Sequence, residues 1–296
     1  MMIKLDLYRI FYEVGKYASF SKAAEALYLT QPAVSQSIRQ LEEQLDVRLF
    51  NRTTKGVHLT KEGELLYEYA QSAIHLLEAG ERKLDELKGV AYGELAIGVG
   101  DAISRHYLMP YLAQFHRLYP NIKFRLENGT TNELRQLLKQ GDLDIALCNL
   151  PIEDEQLAII PTFDVQAVFV YGEKYHKLLE GTVEYEQLAK LPLIMLEGKS
   201  NSRQYVESYL KLKGVDIEPE FELGSHDLLL QFAKTNFGVA AVTREFATEY
   251  FREGSLREVQ LEQPIPKRQI GICYLNTVAL SPAAERFYNI VIHPVG

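Results

Sequence analysis

At 296 residues the chain has room for two domains rather than one, since compact domains usually hold about 100–200 residues. Apolar residues make up 47% and charged residues 24%, the ordinary balance of a globular protein, and no apolar run reaches the roughly eighteen residues of a membrane helix. The net charge of −8 argues, taken whole, against a nucleic-acid partner.

The distribution of charge changes that reading. Residues 1–60 hold eight Lys/Arg against six Asp/Glu, a net +2, so the remainder carries −10 of the total −8. DNA affinity depends on local positive charge facing phosphates, so the sign of the first segment matters more than the sum. The first residues show no basic stretch followed by an apolar core, so secretion is not expected and a cytoplasmic location is. Cys148 and Cys273 stand far apart without metal-ligand spacing, and are expected as small apolar core residues. No metal, cofactor or disulfide framework is expected.

Along residues 3–17, Leu7, Ile10, Phe11 and Val14 recur at helical spacing. Ser21 is expected to cap a short second helix with Ala23, Ala24 and Leu27 facing inward. After a break at Leu29-Thr30, Thr30 or Gln31 caps a third helix, with Pro32 in its first turn, where a missing N–H costs nothing. That helix buries Val34, Ile38, Leu41 and Leu45. Its other face carries Pro32, Ser35, Gln36 and Arg39, side chains suited to base edges and phosphates in a major groove. Two short extended pieces around Thr53-Thr54-Lys55-Gly56 then predict a β-hairpin wing, with Arg52 and Lys55 placed for phosphates. Periodicity alone also fits a plain helical bundle with a solvated face.

The run FSKAAEALYLTQPAVSQSIRQLEEQLDVRLFNRTTKGVHLTKEGE resembles the signature of LysR-type transcription regulators almost position for position. The resemblance implies an all-α winged helix-turn-helix over residues 1–60 that binds promoter DNA, with Gln31, Pro32, Ser35 and Gln36 in the groove and Arg52 holding phosphate; Ser21, Arg39 and Lys55 are expected as further DNA contacts. The family often has Arg where Gln36 stands, so its base preference does not carry over at that contact.

Residues 61–88 contain no Pro and read as a linker helix about 42 Å long, at 1.5 Å per residue. Leu66, Ala70, Ala73, Leu77, Gly80, Leu84 and Leu87 alternate in steps of three and four, a seam for a second copy of the helix. The alternative is a surface helix packed on its own domain. The resemblance implies a homodimer on a dyad-symmetric site, and in many members a homotetramer.

From residue 89 to 296 strands alternate with helices, which predicts an α/β domain with a largely parallel sheet. We read lobe I as 90–162 with 268–296 and lobe II as 163–267, a two-lobed, periplasmic-binding-protein-like effector domain with a ligand cleft between the lobes. GVGDAIS (Gly100, Asp101, Ala102, Ile103, Ser104), NGTT (Thr130, Thr131), Asn149, KSNSR (Ser200, Asn201, Ser202, with the charge of Arg203) and GSHD (Ser225, His226) are expected to line it. Each of the helix-opening segments, alone, reads more readily as a helix cap than as a ligand contact. Asn236-Phe237-Gly238-Val239 departs from the family's Gly-x-Gly-Ile run, which bears on either the pocket or the packing.

Enzyme readings find no support. Gly98-x-Gly100 lacks the third glycine of a dinucleotide loop, and Ser225-His226-Asp227 are neighbours in sequence, whereas a triad is assembled from separate segments. Polar helix N-termini point to a small carboxylate or amino-acid-like anion as effector. The rival reading is a stand-alone binding or enzymatic α/β domain with a helical appendage.

Overall fold

The computed structural model describes residues 3–53, 56–87 and 93–293. It divides into two compact units, Met1–Lys88 with Lys139–Asp142, and Gly89–Leu138 with Leu143–Gly296.

In the first unit, α1 (Leu5–Tyr17) ends where Ala18 takes the left-handed conformation. α2 (Phe20–Ala26) is capped by Ser19, whose hydroxyl accepts the Lys22 N–H at 3.3 Å. Ser21, expected as that cap, sits one residue inside the helix and is exposed. α3 (Gln31–Leu45) starts at Thr30, whose hydroxyl accepts the Ala33 N–H, and stops at left-handed Asp46. Val34, Ile38 and Leu41 join Phe11, Val14, Phe20, Ala23 and Leu49 in one core, with Leu45 half-buried at its edge. β1 (Phe50–Thr53) and β2 (Gly56–Leu59) pair antiparallel as the wing. Glu42 of α3 accepts the N–H groups of Leu49 and Phe50 at 2.7 and 3.2 Å, which fixes where the chain leaves the third helix for the wing.

α4 (Lys61–Leu87) opens on Thr60, whose hydroxyl accepts the Gly63 N–H at 2.9 Å. Its first turns pack back on their own domain: Ala70 is buried in the core, with Leu66 and Tyr67 against it. Tyr12 stacks on Tyr67 and hydrogen-bonds His75 at 2.9 Å, pinning α1 along the long helix.

The second unit is built on one continuous mixed sheet in the order β4-β3-β5-β13-β6-β10-β8-β9. On one side stand β3 (Glu94–Val99), β4 (Lys123–Asn128) and β5 (Ile145–Asn149), mutually parallel, with α5 (Asp101–Ile103), α6 (Met109–Leu118) and α7 (Thr131–Gln140). Ser104–Leu108 forms a π-helical turn joining α5 to α6. The long strand β6 (Leu157–Tyr171) crosses to the other side, where α8 (Tyr185–Leu188), β8 (Leu193–Leu196), α9 (Asn201–Leu212), β9 (Phe221–Leu223), α10 (His226–Lys234), β10 (Val239–Thr243) and α11 (Thr248–Arg252) follow. The short strands β7 (Thr182–Val183) and β12 (Gln260–Leu261) pair with each other, and β11 (Arg257–Glu258) pairs with β6. β13 (Lys267–Leu275) returns antiparallel to β6 and β5, and α12 (Pro282–Ile292) closes on the first side.

The sheet is therefore less parallel than expected, because both crossing strands run against their neighbours. Its strands are apolar on both faces because helices cover both. Leu95, Ile97 and Val99 enter one core, and Ala96 enters another with Ala146, Cys148 and Cys273. The Cys273 thiol, together with burial, holds Cys148 protonated well above the usual thiol range, as an inert core residue requires. Left-handed Asn236 ends the α10 turn and accepts the Lys174 N–H at 2.9 Å, while Gly238 passes close to the Pro192 carbonyl. That departure from the family's pattern is a matter of packing.

Candidate DNA-reading surface and effector cleft

On α3 the apolar stripe turned inward leaves Gln31, Pro32, Gln36 and Arg39 exposed and Ser35 half-buried on the opposite face. The Gln31 amide donates to the Ser35 hydroxyl at 3.0 Å, so two of the polar groups are oriented by each other before any DNA arrives. Arg52 stands on β1, but its side chain lies outside the described residues, and Lys55 lies outside them altogether.

The long helix shows two separate faces. Gly63, Leu66 and Ala70 turn toward the domain's own core. Leu65, Tyr69, Ala73, Leu77 and Leu84 are exposed, and Gly80 is half-buried. At about 100° per residue, Leu65, Tyr69, Ala73, Leu77, Gly80 and Leu84 fall within an arc of roughly 120°. The seam expected from spacing is thus corrected at its start: Ala70 and much of Leu66 are spent on the monomer, and Leu65 and Tyr69 take their place on the free face. Leu87's side chain lies outside the described residues.

In the second unit a cavity of about 370 Å³ opens between the two sides of the sheet. Gly100, Asp101, Ala102, Ile103, Thr130, Thr131, Asn149, Ser200, Asn201, Ser202, Ser225 and His226 all line it. Ser104 does not, because it starts the π-helical turn beyond the cleft-facing segment. The same elements bring Asn128, Gly129, Glu133, Glu197, Lys199, Gly224, Thr243 and Phe246 to the wall. Asn128, Gly129, Lys199 and Gly224 belong to the segments expected from sequence, whereas Glu133, Glu197, Thr243 and Phe246 were not singled out as site residues. Glu133 carried a signal, since Thr-x-x-Glu before an apolar run is a capping box. The Thr130 N–H and hydroxyl both donate to its carboxylate, at 2.7 and 2.8 Å, and these bonds lower its pKa.

Helix starts therefore converge on one cavity, and their side chains are not all spent on capping. Ser200 and Ser225 occupy N-cap positions yet make no capping hydrogen bond, so both hydroxyls and the first-turn N–H groups remain for a ligand. His226 is fully buried, and burial pushes its pKa down to about 3; its Nε2 accepts the Thr243 N–H at 2.9 Å. The ring is neutral, and Nδ1, which then carries the proton, has no partner. Arg203 donates to Glu207 at 2.6 Å, to Glu222 at 2.9 Å and to the Leu196 carbonyl at 2.9 Å. Its charge is neutralised inside its own lobe, against the expectation that it would serve a ligand.

Beside the cleft the lobes touch through side chains. Asp227 of α10 pairs with Arg105 and, at 3.4 Å, with His106 of the π-helical turn. The His106 ring stacks on Phe246 at 4.8 Å and 12°. His226 and Phe246 line the cavity, so this contact is continuous with its wall. Among the described residues no group of His, Cys, Asp and Glu could hold a metal, and no helix is long and apolar enough to cross a membrane.

Residues 5–64 match the family described as bacterial regulatory helix-turn-helix protein, lysR family, and residues 88–293 match the LysR substrate binding domain. The chain belongs to the LysR family. A relative from Porphyra purpurea, described as a probable RuBisCO transcriptional regulator, is 30% identical over 290 residues, covering 96% of this chain and 91% of the relative. The RuBisCO operon transcriptional regulator of Allochromatium vinosum is 28% identical over 293 residues, covering 99% and 96%. Full-length OxyR from Pseudomonas aeruginosa has the same fold, with a TM-score of 0.70 at 22% identity over 99% of this chain and 94% of that one. So has full-length CbnR complexed with its target DNA, at 0.64 and 18%, over 98% and 99%. This LysR-family protein is a DNA-binding transcription regulator with an effector-binding domain, and it is not an enzyme.

Proposed function

We propose that this regulator binds a dyad-symmetric promoter site as a dimer or tetramer in the cytoplasm, and that a small carboxylate or amino-acid-like anion in the cleft alters that binding. In this reading residues 1–60 form the DNA-binding domain, 61–88 the dimerising helix and 89–296 the effector domain. Lobe I then comprises 90–162 with 268–296, and lobe II 163–267. Gln31, Pro32, Ser35, Gln36 and Arg39 enter the major groove, and Arg52 and Lys55 hold phosphate. The exposed stripe from Leu65 to Leu84 meets a second copy. The observation that carries the effector half is the pair of cap-position serines, Ser200 and Ser225, left without capping bonds in a cavity formed by several helix starts. RuBisCO-operon control, by which the relatives are described, supports a metabolic signal as the input.

A ligand shifts the lobes only by its differential affinity for their two arrangements, so the Asp227 contacts with Arg105 and His106 set the balance it works against. The test is promoter affinity of the full chain with fractionated metabolite extract, for the wild type and for Ser200→Trp, which fills the cleft. A fraction that changes wild-type affinity and leaves the variant unmoved supports the reading; an equal response in both refutes the cleft as the effector site.

A further inference from the structure

A buried cation stands directly behind the cleft. Arg268, near the start of the returning strand β13, is only 6% exposed. Its guanidinium donates to the Ser202 hydroxyl at 2.6 Å and packs 5.2 Å from the centre of the Tyr205 ring. Its Nε is buried without any partner. Among the described residues no carboxylate lies within ion-pair distance of it, whereas Arg203 of α9, which lines the same small cavity, has two. Glu245 acts on Arg268 only at longer range, its carboxylate being engaged by the Gln166 N–H at 3.0 Å. Burial lowers the Arg268 pKa to about 10, which still leaves it charged at neutral pH.

Leaving a guanidinium buried and unpaired is costly, and proteins commonly compensate with a counter-ion or a well-formed hydrogen-bond set. Here neither is complete. Arg268 and Ser202 line a small cavity of about 20 Å³ that shares Ser202, His226 and Thr243 with the effector cleft. Because Ser202 accepts from Arg268, its own hydroxyl hydrogen is directed elsewhere, and Ser202 lines the cleft in the first turn of α9. The neutral His226 contributes no positive charge, so Arg268 is the buried charge at this end of the cleft.

We infer that Arg268, acting through Ser202, is the positioning residue that makes the cleft select a ligand with an anionic end, a carboxylate or phosphate seated at the start of α9. The inference rests on the effector-cleft reading above and deepens it. The outer wall narrows the ligand further. Asp101, Glu133 and Glu197 face the cavity against Lys199, and the buried Asn201 Oδ1 has no donor, so the rest of the ligand is neutral or cationic. An amphoteric, amino-acid-like molecule satisfies both ends.

The test uses the full chain and inorganic phosphate as the anion probe, with chloride at equal ionic strength as control, read by backbone amide shifts. In the wild type phosphate moves the Ser202 amide saturably and chloride does not. Arg268→Met weakens phosphate binding by about tenfold or more, as expected for a lost charge-assisted contact, while Arg268→Lys stays within about threefold of wild type. A purely structural role would not be rescued by Lys in this way. If Arg268→Met does not fold, Ser202→Ala carries the test, because removing the relay hydroxyl must weaken phosphate comparably. Equal phosphate affinity in wild type and Arg268→Met, or a Ser202 amide that phosphate leaves unmoved, overturns the inference. The outcome is separable from that of the cleft itself: a metabolite fraction acting equally on wild type and Arg268→Met, yet blocked by Ser200→Trp, keeps the cleft and rejects the role of Arg268.

Discussion

At the residue scale the outward face of α3 and the cleft both carry polar groups whose hydrogen bonds are not all used internally. Gln36 is exposed on the outward face of α3, where the proposed reading turns its amide toward a base edge. Gln36→Ala is expected to cost about 1–3 kcal/mol of discrimination between the preferred site and a mutated one, with little change in non-specific binding. Competition binding at fixed salt measures this, and unchanged discrimination would displace the recognition face. His226 yields a pH prediction. Its ordinary pKa of 6.5 falls to about 3 on folding because burial disfavours the charged ring. Above pH 6.5 neither state holds the extra proton. As pH falls from 6.5 toward 3, the unfolded chain takes up a proton that the folded chain refuses, so stability is lost over that window. His226→Gln keeps an acceptor for the Thr243 N–H but does not titrate, so its melting temperature falls less steeply than wild type there. Parallel melting curves across that range would contradict the assignment.

At the scale of elements, sequence patterning carried the helices and most strands, because amphipathic period and cap chemistry are local. It was weaker wherever the outcome depended on a partner distant in sequence. The seam of α4 shows why: spacing places Leu66 and Ala70 on the same arc as Leu77 and Leu84, and only the packed domain reveals that the first two are already covered. Leu77→Glu and Leu84→Glu are therefore expected to weaken self-association by about tenfold or more each without unfolding the monomer, as sedimentation would show. Gly63→Ala behaves oppositely. A Cβ there would collide with the Leu49 carbonyl, so thermal denaturation should reveal a loss of about 1–3 kcal/mol. No measurable loss would mean that the start of α4 is looser than its packing indicates. Arg268 was illegible for the same reason as the seam: nothing around a Lys-Arg-Gln run in a strand announces burial, and the role proposed for it depends on Ser202, whose sequence position is remote.

At the scale of the whole molecule, a basic reading head is coupled in one chain to an acidic sensing domain, which explains why the net charge alone misleads. The fold class was legible because a single contiguous run held the DNA-binding signature and strand–helix alternation held the sensor. The cleft was legible in its helix-opening segments and illegible in Glu197 and Thr243, at the ends of β8 and β10, and in Phe246, in the 3-10 turn after β10, where no motif marks them.

Control of DNA binding by a small metabolite in the cleft is open to genomic footprinting of the full-length protein with and without metabolite extract at stated salt. It predicts discrete dyad-symmetric sites whose protection changes when extract is added. Diffuse, salt-labile binding that extract leaves unchanged would contradict it.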